Sequence, residues 1–259
     1  TVTLTSGKVL TGVYGGCNAS GTVGGAIALN INGGQVGTDA THKAYGIFGG
    51  GKGSATQTGD AVTVTIGTAT NAQTYPTIYG DVYGGSAEGQ VNDALGEITK
   101  VWLKKGVING DLYGGGFGDN GSNALVNGGV QVVVDGGTVT GKVFGCNNAN
   151  GTPKGTVTVT INGTDTPQSG YALSEVYGGG NMANYNPTNI TPATVVVNGC
   201  NNSIGVVYGG GNAANVLGTD VTIWGGTIGQ VFGGGHGNKD AQPTPTEANV
   251  VKREGQGGN

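Results

Sequence analysis

The chain has 259 residues, 58 of them glycine, with 10% charged residues and a formal net charge of −4. Glycine at about three times average usage but without a G-X-Y period excludes collagen, and so low a charged fraction excludes a disordered polyelectrolyte. A single arginine, Arg253, leaves no basic stripe for nucleic acid, and no apolar run reaches membrane-spanning length, so no membrane span is expected.

Taken from its start, the chain opens on Thr1-Val2-Thr3-Leu4, already a strand pattern, with no initiator Met and no signal-peptide pattern. The expectation is a processed chain or a fragment, with no polar cap on its first repeat. A short phrase then returns along the length: an aliphatic residue, an aromatic ring, then glycine. It reads Val13-Tyr14-Gly15-Gly16, Ile47-Phe48, Val82-Tyr83, Leu112-Tyr113, Val143-Phe144, Val176-Tyr177, Val207-Tyr208 and Val231-Phe232, each followed by glycine. Successive rings are 34, 35, 30, 31, 33, 31 and 24 residues apart. A period in that range marks a stacked-repeat architecture.

Ahead of the rings lie alternating runs rich in Val, Ile and Thr: Val62 to Ile66, Val130 to Val134, Val157 to Ile161 and Val221 to Ile223. Period-two alternation of such residues is a half-buried strand. Glycine turns follow, as at Gly136-Gly137 and Gly225-Gly226. No window carries a helical period. The unit from Tyr208 to Phe232 is 24 residues, too short for a propeller blade of about 40 or more. The expected fold is therefore all-β, a right-handed parallel β-helix (β-solenoid) of about eight coils, the hand being the usual one for parallel crossovers. Repeats should begin near Ala26, Asp60, Gly96, Gly129, Gly155, Pro192 and Thr219. Residues 1–238 read as one solenoid domain; 239–259, with Pro243 and Pro245, read as a Pro/Thr-rich linker or the start of a further coil.

In such a stack Tyr14, Phe48, Tyr83, Tyr113, Phe144, Tyr177, Tyr208 and Phe232 form one inward ladder at about 4.8 Å spacing, each offset-stacked pair contributing about 0.5–1.5 kcal/mol beyond its burial. The glycines after each ring should turn the chain with φ > 0 and let the next backbone pass closely. Four residues beyond the rings stand Asn18, Asn148, Asn181 and Asn212, with His236 in the last repeat, a candidate amide ladder. Two residues before the rings stand Asp81, Asp111, Lys142 and Glu175, a solvated column on this reading.

Three insertions, Gly37 to Tyr45, Thr68 to Tyr79 and Thr164 to Ser174, should widen one corner and project from one side. They carry Tyr45, Tyr75, Tyr79 and Tyr171, the candidate ligand-contact residues, since insertions on one face of a repeat array often bind. Asn-x-Ser/Thr sequons at Asn18, Asn120, Asn150, Asn162, Asn189 and Asn201 are candidate glycosylation sites. Cys17 and Cys146, four coils and roughly 19 Å apart at strand spacing, cannot pair; Cys200 follows a different turn, and no disulfide framework is implied.

Three glycine-rich segments approach known motifs and miss. Gly46 to Gly53 has Gly53 where a phosphate loop needs Ser or Thr, and no helix follows. Gly234 to Gly237 is followed by Asn238-Lys239, without the aspartate of a calcium nonapeptide, and Asp119 falls one place early after Gly115-Gly116-Phe117-Gly118. The two histidines, His42 and His236, lie repeats apart, which argues against a histidine metal site. No cofactor is expected. Asp81 and Asp111 could approach to about 5 Å in adjacent coils, a separation compatible with retaining glycoside chemistry. No arginine stands in the shaft and no cleft signature accompanies the pair, so the chain is not expected to be an enzyme. Thr-x-Thr pairs at Thr3/Thr5, Thr63/Thr65 and Thr158/Thr160 fit an ice-binding array, but Ala28/Asn30, Gln131/Val133 and Thr222/Trp224 break it.

The phrase Val-Tyr-Gly-Gly-Gly-Asn, at Val176 to Asn181 and Val207 to Asn212, resembles the Gly-rich repeats of bacterial secreted and cell-surface β-helix proteins of adhesin type. The resemblance covers about residues 1–238 and carries no catalytic residue. It implies an extracellular or cell-surface structural and adhesive shaft, with end-to-end self-association into a fibre and a glycan or a host or microbial surface ligand as candidate partners. Polysaccharide binding or cleavage, and ice binding, are the alternatives.

Overall fold

The computed structural model describes residues 1–68, 75–119, 121–167 and 169–237. Among these residues there is no helix, and the strands build three sheets in which every pairing is parallel. The assignment of residues 239–259 as linker or further coil lies outside the described residues.

The first sheet has eight strands, Val2–Leu4, Ile27–Ile31, Val62–Ile66, Ile98–Leu103, Gly129–Val134, Val157–Ile161, Ala193–Val197 and Thr219–Ile223, each hydrogen-bonded to the next in chain order. Numbering the repeats one to eight from these strands places the ring phrases, in the same order, on a second, 12-stranded sheet. In the first four repeats that sheet uses two short strands per repeat, for example Val107–Ile108 and Leu112–Tyr113. Both run into the single strand Thr138–Phe144, and from there on each repeat gives one strand: Leu173–Tyr177, Ser203–Tyr208 and Thr227–Phe232. A bulge marks the change, with Thr140 and Gly141 lying opposite Ser174 alone. A third, three-stranded sheet joins Ser20–Val23, Ala55–Thr58 and Gln90–Val91. Parallel strands stacked in this way are compatible with a β-solenoid.

Alternation sets the burial. In Ile27–Ile31, Val62–Ile66 and Val157–Ile161 every odd position is buried and every even one half-buried. In-register pairing turns these positions into columns such as Leu29, Val64, Val101, Val132, Val159 and Val195. Each such side chain contributes about 1.5–3 kcal/mol on burial. Thr99 interrupts one column between Val62 and Val130. Its hydroxyl is buried but donates to Asn92 Oδ1 at 2.8 Å, and Asn92 is itself held at φ 67°, a left-handed conformation that Asn tolerates better than most residues.

Two expectations about the ring phrase are corrected. The glycines that follow the rings do not have positive φ; they are required by close approach. A Cβ on Gly114 would be driven into the carbonyl oxygen of Gly145 in the next repeat and into Val130, and Gly49, Gly84, Gly145, Gly178 and Gly209 stand in the same way. Positive φ belongs instead to the turns between the first and second sheets, 77° at Gly34 and 83° at Gly137. Nor is the ladder directed into the aliphatic core. Ile47, Val82, Leu112, Val143, Val176 and Val207 pack in that core, whereas the rings that follow them form a separate cluster. Adjacent residues of a strand point to opposite sides, so the rings stack on the far side of the second sheet. They are covered there by Ala87 and Phe117.

The three insertions do not share a corner. The described residues of the second insertion reach the second-sheet strand Thr77–Ile78 after Val62–Ile66 of repeat three, and those of the third reach Leu173–Tyr177 after Val157–Ile161 of repeat six, but Gly37 to Tyr45 separates Gln35–Val36 from Ile47–Phe48 within the second sheet.

Candidate functional site

The feature that dominates the molecule is the ring column and the polar groups attached to it. From Tyr14 to Phe232 the eight rings stack in chain order, with centroids 4.7–5.1 Å apart and planes within 14° of parallel. The six rings from Phe48 to Tyr208 are buried, Tyr113 to 1% exposure; Tyr14 is half-buried and Phe232 is 44% exposed. Phe117 meets Tyr83 edge-on at 5.9 Å, and His236 meets Tyr208 in the same way at 5.6 Å.

Buried phenols need partners, and for three tyrosines of the column the partner is the acid two residues earlier. Tyr83 donates to Asp81 Oδ2 at 3.1 Å, Tyr113 to Asp111 Oδ2 at 2.9 Å, and Tyr177 to Glu175 Oε2. The phenyl of Phe144 needs no acceptor, and Lys142 stands two residues before it. The column is not the solvated ion ladder expected. The second oxygen of Asp81 accepts the Asp111 amide at 2.9 Å, and the second oxygen of Asp111 accepts the Lys142 amide at 2.8 Å, so each carboxylate ties its own ring to the next repeat. Lys142 Nζ then reaches Glu175 Oε2 at 3.0 Å and lies 5.6 Å from the Tyr177 ring centroid.

These surroundings shift the protonation equilibria. Burial raises the Asp81 carboxyl above its ordinary value, and the charge on Asp111 adds to the rise; the Asp111 amide and the Tyr83 hydroxyl oppose it. At Glu175 burial also pushes upward, but the Tyr177 hydroxyl and Lys142 outweigh it and the carboxyl is lowered. The phenols of Tyr83, Tyr113 and Tyr177 are all raised, first by burial and then by the carboxylates.

Of the expected amide ladder, three members are joined. Asn181 Nδ2 donates to Asn148 Oδ1 at 2.9 Å and Asn212 Nδ2 to Asn181 Oδ1 at 2.8 Å; Asn148 Nδ2 donates to the Tyr83 hydroxyl at 2.9 Å. Asn18 is exposed and lies apart from them, with Lys52, Ala87 and Phe117 at the same count in the repeats between.

The candidate ligand-contact tyrosines stand in different settings. Tyr45 is 78% exposed in an insertion organised by Asp39, whose Oδ1 accepts the Thr41 and His42 amides at 2.8 Å. Tyr79 is half-buried and its carbonyl accepts the Ala44 amide at 2.7 Å, the Tyr75 ring lies 5.6 Å from Lys105 Nζ, and Tyr171 is laid over Gly205 and Gly229, one and two repeats on. Among the candidate glycosylation positions Asn18, Asn162, Asn189 and Asn201 are exposed. Asn150 Nδ2 is engaged by the Asp119 carbonyl and Asn162 Nδ2 by Asp135 at 2.8 Å; Asn120 lies outside the described residues. Cys146 is buried, which pushes its thiol up, Cys17 is half-buried and Cys200 exposed, all three free.

Sequence reasoning missed a second polar ladder at the end of the first sheet. Trp102 lies between Lys104 and Lys100, whose Nζ atoms are 3.8 and 4.0 Å from its ring, and donates to Asp135 Oδ2 at 2.6 Å. Asn162 bonds the other oxygen of Asp135, and Asn198 bonds Asn162 at 2.9 Å. Register brings them together: Trp102, Val133 and Thr160 are paired across the sheet, so Asp135 and Asn162, two residues beyond Val133 and Thr160, fall beside one another, and spacing along the chain gave no signal of it.

No protein-family model, no curated protein and no solved structure matches the chain. Among the described residues no three His, Cys, Asp or Glu side chains are grouped to hold a metal ion, and no helix is long and apolar enough to cross a membrane. The third sheet bears an open depression of about 230 Å³ beside Gln57, Gln90 and Leu125.

Proposed function

We propose that the protein is a structural and adhesive shaft, a right-handed parallel β-helix of about eight coils over residues 1–238, working outside the cell or at its surface and assembling end to end. The observation that carries this reading is the repeat-to-repeat pairing of equivalent first-sheet strands and stacking of equivalent rings from the first repeat to the eighth, which makes length the property the sequence is organised to produce. The hand follows from the preference of parallel crossovers. Low charge and abundant Thr, Asn and Gly favour the extracellular setting.

End-to-end assembly would draw on exposed apolar side chains of the outer repeats: among the described residues Val2, Ile223, Val231 and Phe232 are exposed, and parallel strand edges can template another chain. A catalytic role for Asp81 and Asp111 is disfavoured because their oxygens are occupied by phenols and backbone amides. An ice-binding face is disfavoured because Lys100, Trp102 and Asp220 interrupt the threonine columns.

Electron micrographs test the reading. Rods are expected, with long assemblies that disappear when a charged, Pro-bearing cap is placed before Thr1. Compact particles would overturn the shaft, and fibres that persist with the cap would overturn the end-to-end contact. Adhesion predicts binding on a glycan array that weakens when Tyr45, Tyr75, Tyr79 and Tyr171 are replaced by alanine.

A further inference from the structure

The ring column has a chemical capacity that packing alone does not use. Tyr83 and Tyr113 are adjacent in it, parallel to within 4° with centroids 4.8 Å apart, and almost wholly buried. Each phenol points at its own carboxylate, Asp81 or Asp111, at 3.1 or 2.9 Å. Oxidising a phenol by one electron makes its proton strongly acidic, so the electron leaves readily only where a base is already in hydrogen-bond contact. Rings in π contact can in addition share the resulting electron vacancy.

We infer that Tyr83 and Tyr113, with Asp81 and Asp111 as proton acceptors, form a site that takes up and holds a one-electron oxidising equivalent. In the step, one electron passes from the phenol to an outer-sphere one-electron oxidant, which is reduced. The phenolic O–H bond breaks, an O–H bond forms on the carboxylate Oδ2, and a neutral tyrosyl radical stands beside a neutral carboxylic acid. No net charge is then left on the buried pair, which favours the product at this depth.

Three further observations support the site. The raised phenol pKa values disfavour loss of the proton before the electron, so the proton passes to the waiting carboxylate with or after the electron, and the raised Asp81 carboxyl is a better base than an ordinary aspartate. The stack leads outward through Phe48 to the half-buried ring of Tyr14, in contacts of 4.7 and 5.1 Å, which brings the pair within tunnelling range of an oxidant at the surface. Two residues before Tyr83, Tyr113 and Tyr177 stand Asp81, Asp111 and Glu175, while the phenyl of Phe144, which cannot be oxidised in this way, is preceded by Lys142; Tyr14 and Tyr208, preceded by Gly12 and Val206, have no such acceptor and lie outside the site.

The test is photo-oxidation of the full chain with a ruthenium(III) polypyridyl complex, read by electron paramagnetic resonance and by the transient tyrosyl absorption. The wild type should give a long-lived tyrosyl radical. In the D81N/D111N variant the amide oxygens still accept the Asp111-position and Lys142 amides but cannot take up a proton, and the radical yield should fall about tenfold, the factor a charge-assisted hydrogen bond supports, with circular dichroism unchanged. The Y83F/Y113F variant keeps the stack and should lose the long-lived signal. Equal yield and lifetime in D81N/D111N, or a long-lived signal that survives in Y83F/Y113F and so arises at rings such as Tyr45 or Tyr171, overturns the assignment. If D81N/D111N does not fold, Y83F/Y113F decides it alone.

Discussion

Asp81 shows how one residue serves two scales. Its side chain closes a hydrogen bond to its own ring and another to the next repeat, yet it does so as a buried charge near a second one, Asp111. A folded carboxyl raised above its unfolded value binds its proton more tightly when folded, so its contribution to stability is fully present below the unfolded pKa and is lost as pH rises through the folded one. Glu175, which is lowered, acts in the opposite sense: its contribution is present above the unfolded pKa and is lost as pH falls through the folded one. Asp81→Asn should therefore remove a term that favours the wild type at acid pH. In urea titrations from neutral pH downward, the stability of the wild type relative to this variant should improve as pH falls across the carboxylate range; a difference that is flat or worsens contradicts the assignment. The pairing of acid with phenol was legible in the sequence as Asp-x-Tyr, Asp-x-Tyr and Glu-x-Tyr against Lys-x-Phe. Reading the acids alone, as an ion column, hid it.

At the scale of elements, glycine does two different jobs, and substitution separates them. Gly114→Ala drives a methyl into the Gly145 carbonyl and the Val130 side chain, none of which can move without opening the stack. About 1–3 kcal/mol or more should be lost, as in overpacked cores. Gly7→Ala asks only that alanine accept φ 87°, since nothing lies within 4 Å of the added methyl, at about 1–2 kcal/mol. Chemical denaturation of the two variants should rank Gly114→Ala as the more damaging, and the reverse order would show that the ring-phrase glycines are not needed for close approach. The strands themselves could be read directly, because Val-Thr-Val-Thr-Ile can bury only one side. Which side of the second sheet would carry the rings could not: a two-residue strand such as Val82–Tyr83 fixes that the side chains diverge and leaves open which of them meets the larger core. The insertions were located in sequence but not in space, since spacing between rings gives the length of a repeat and not the corner at which it widens.

For the molecule as a whole, the ring column is a chain of nearest-neighbour contacts, and a residue's worth depends on its rung. Tyr113→Ala removes a ring stacked on both sides and should destabilise by about 3–5 kcal/mol. Phe232, stacked among the described residues on Tyr208 only and 44% exposed, should cost much less when changed to alanine. Thermal unfolding of the two variants measures the contrast, and equal losses would contradict a column whose strength comes from both neighbours. The repeat that makes this architecture was the most legible feature of the sequence, because stacking identical units demands identical phrases. Its polar ladders were less so: Trp102, Asp135 and Asn162 meet through register and not through any spacing along the chain.

The strand pairings also fix how the molecule bears load. In the first sheet every backbone hydrogen bond joins one repeat to the next, so these bonds lie along the direction in which repeats accumulate. A pull in that direction strains the bonds of one interface together with its single ring contact, and every interface carries the same force. The weakest of them gives way first, while force applied across the strands is shared among many. Such a molecule is stiff when leaned on and parts at a joint when drawn out.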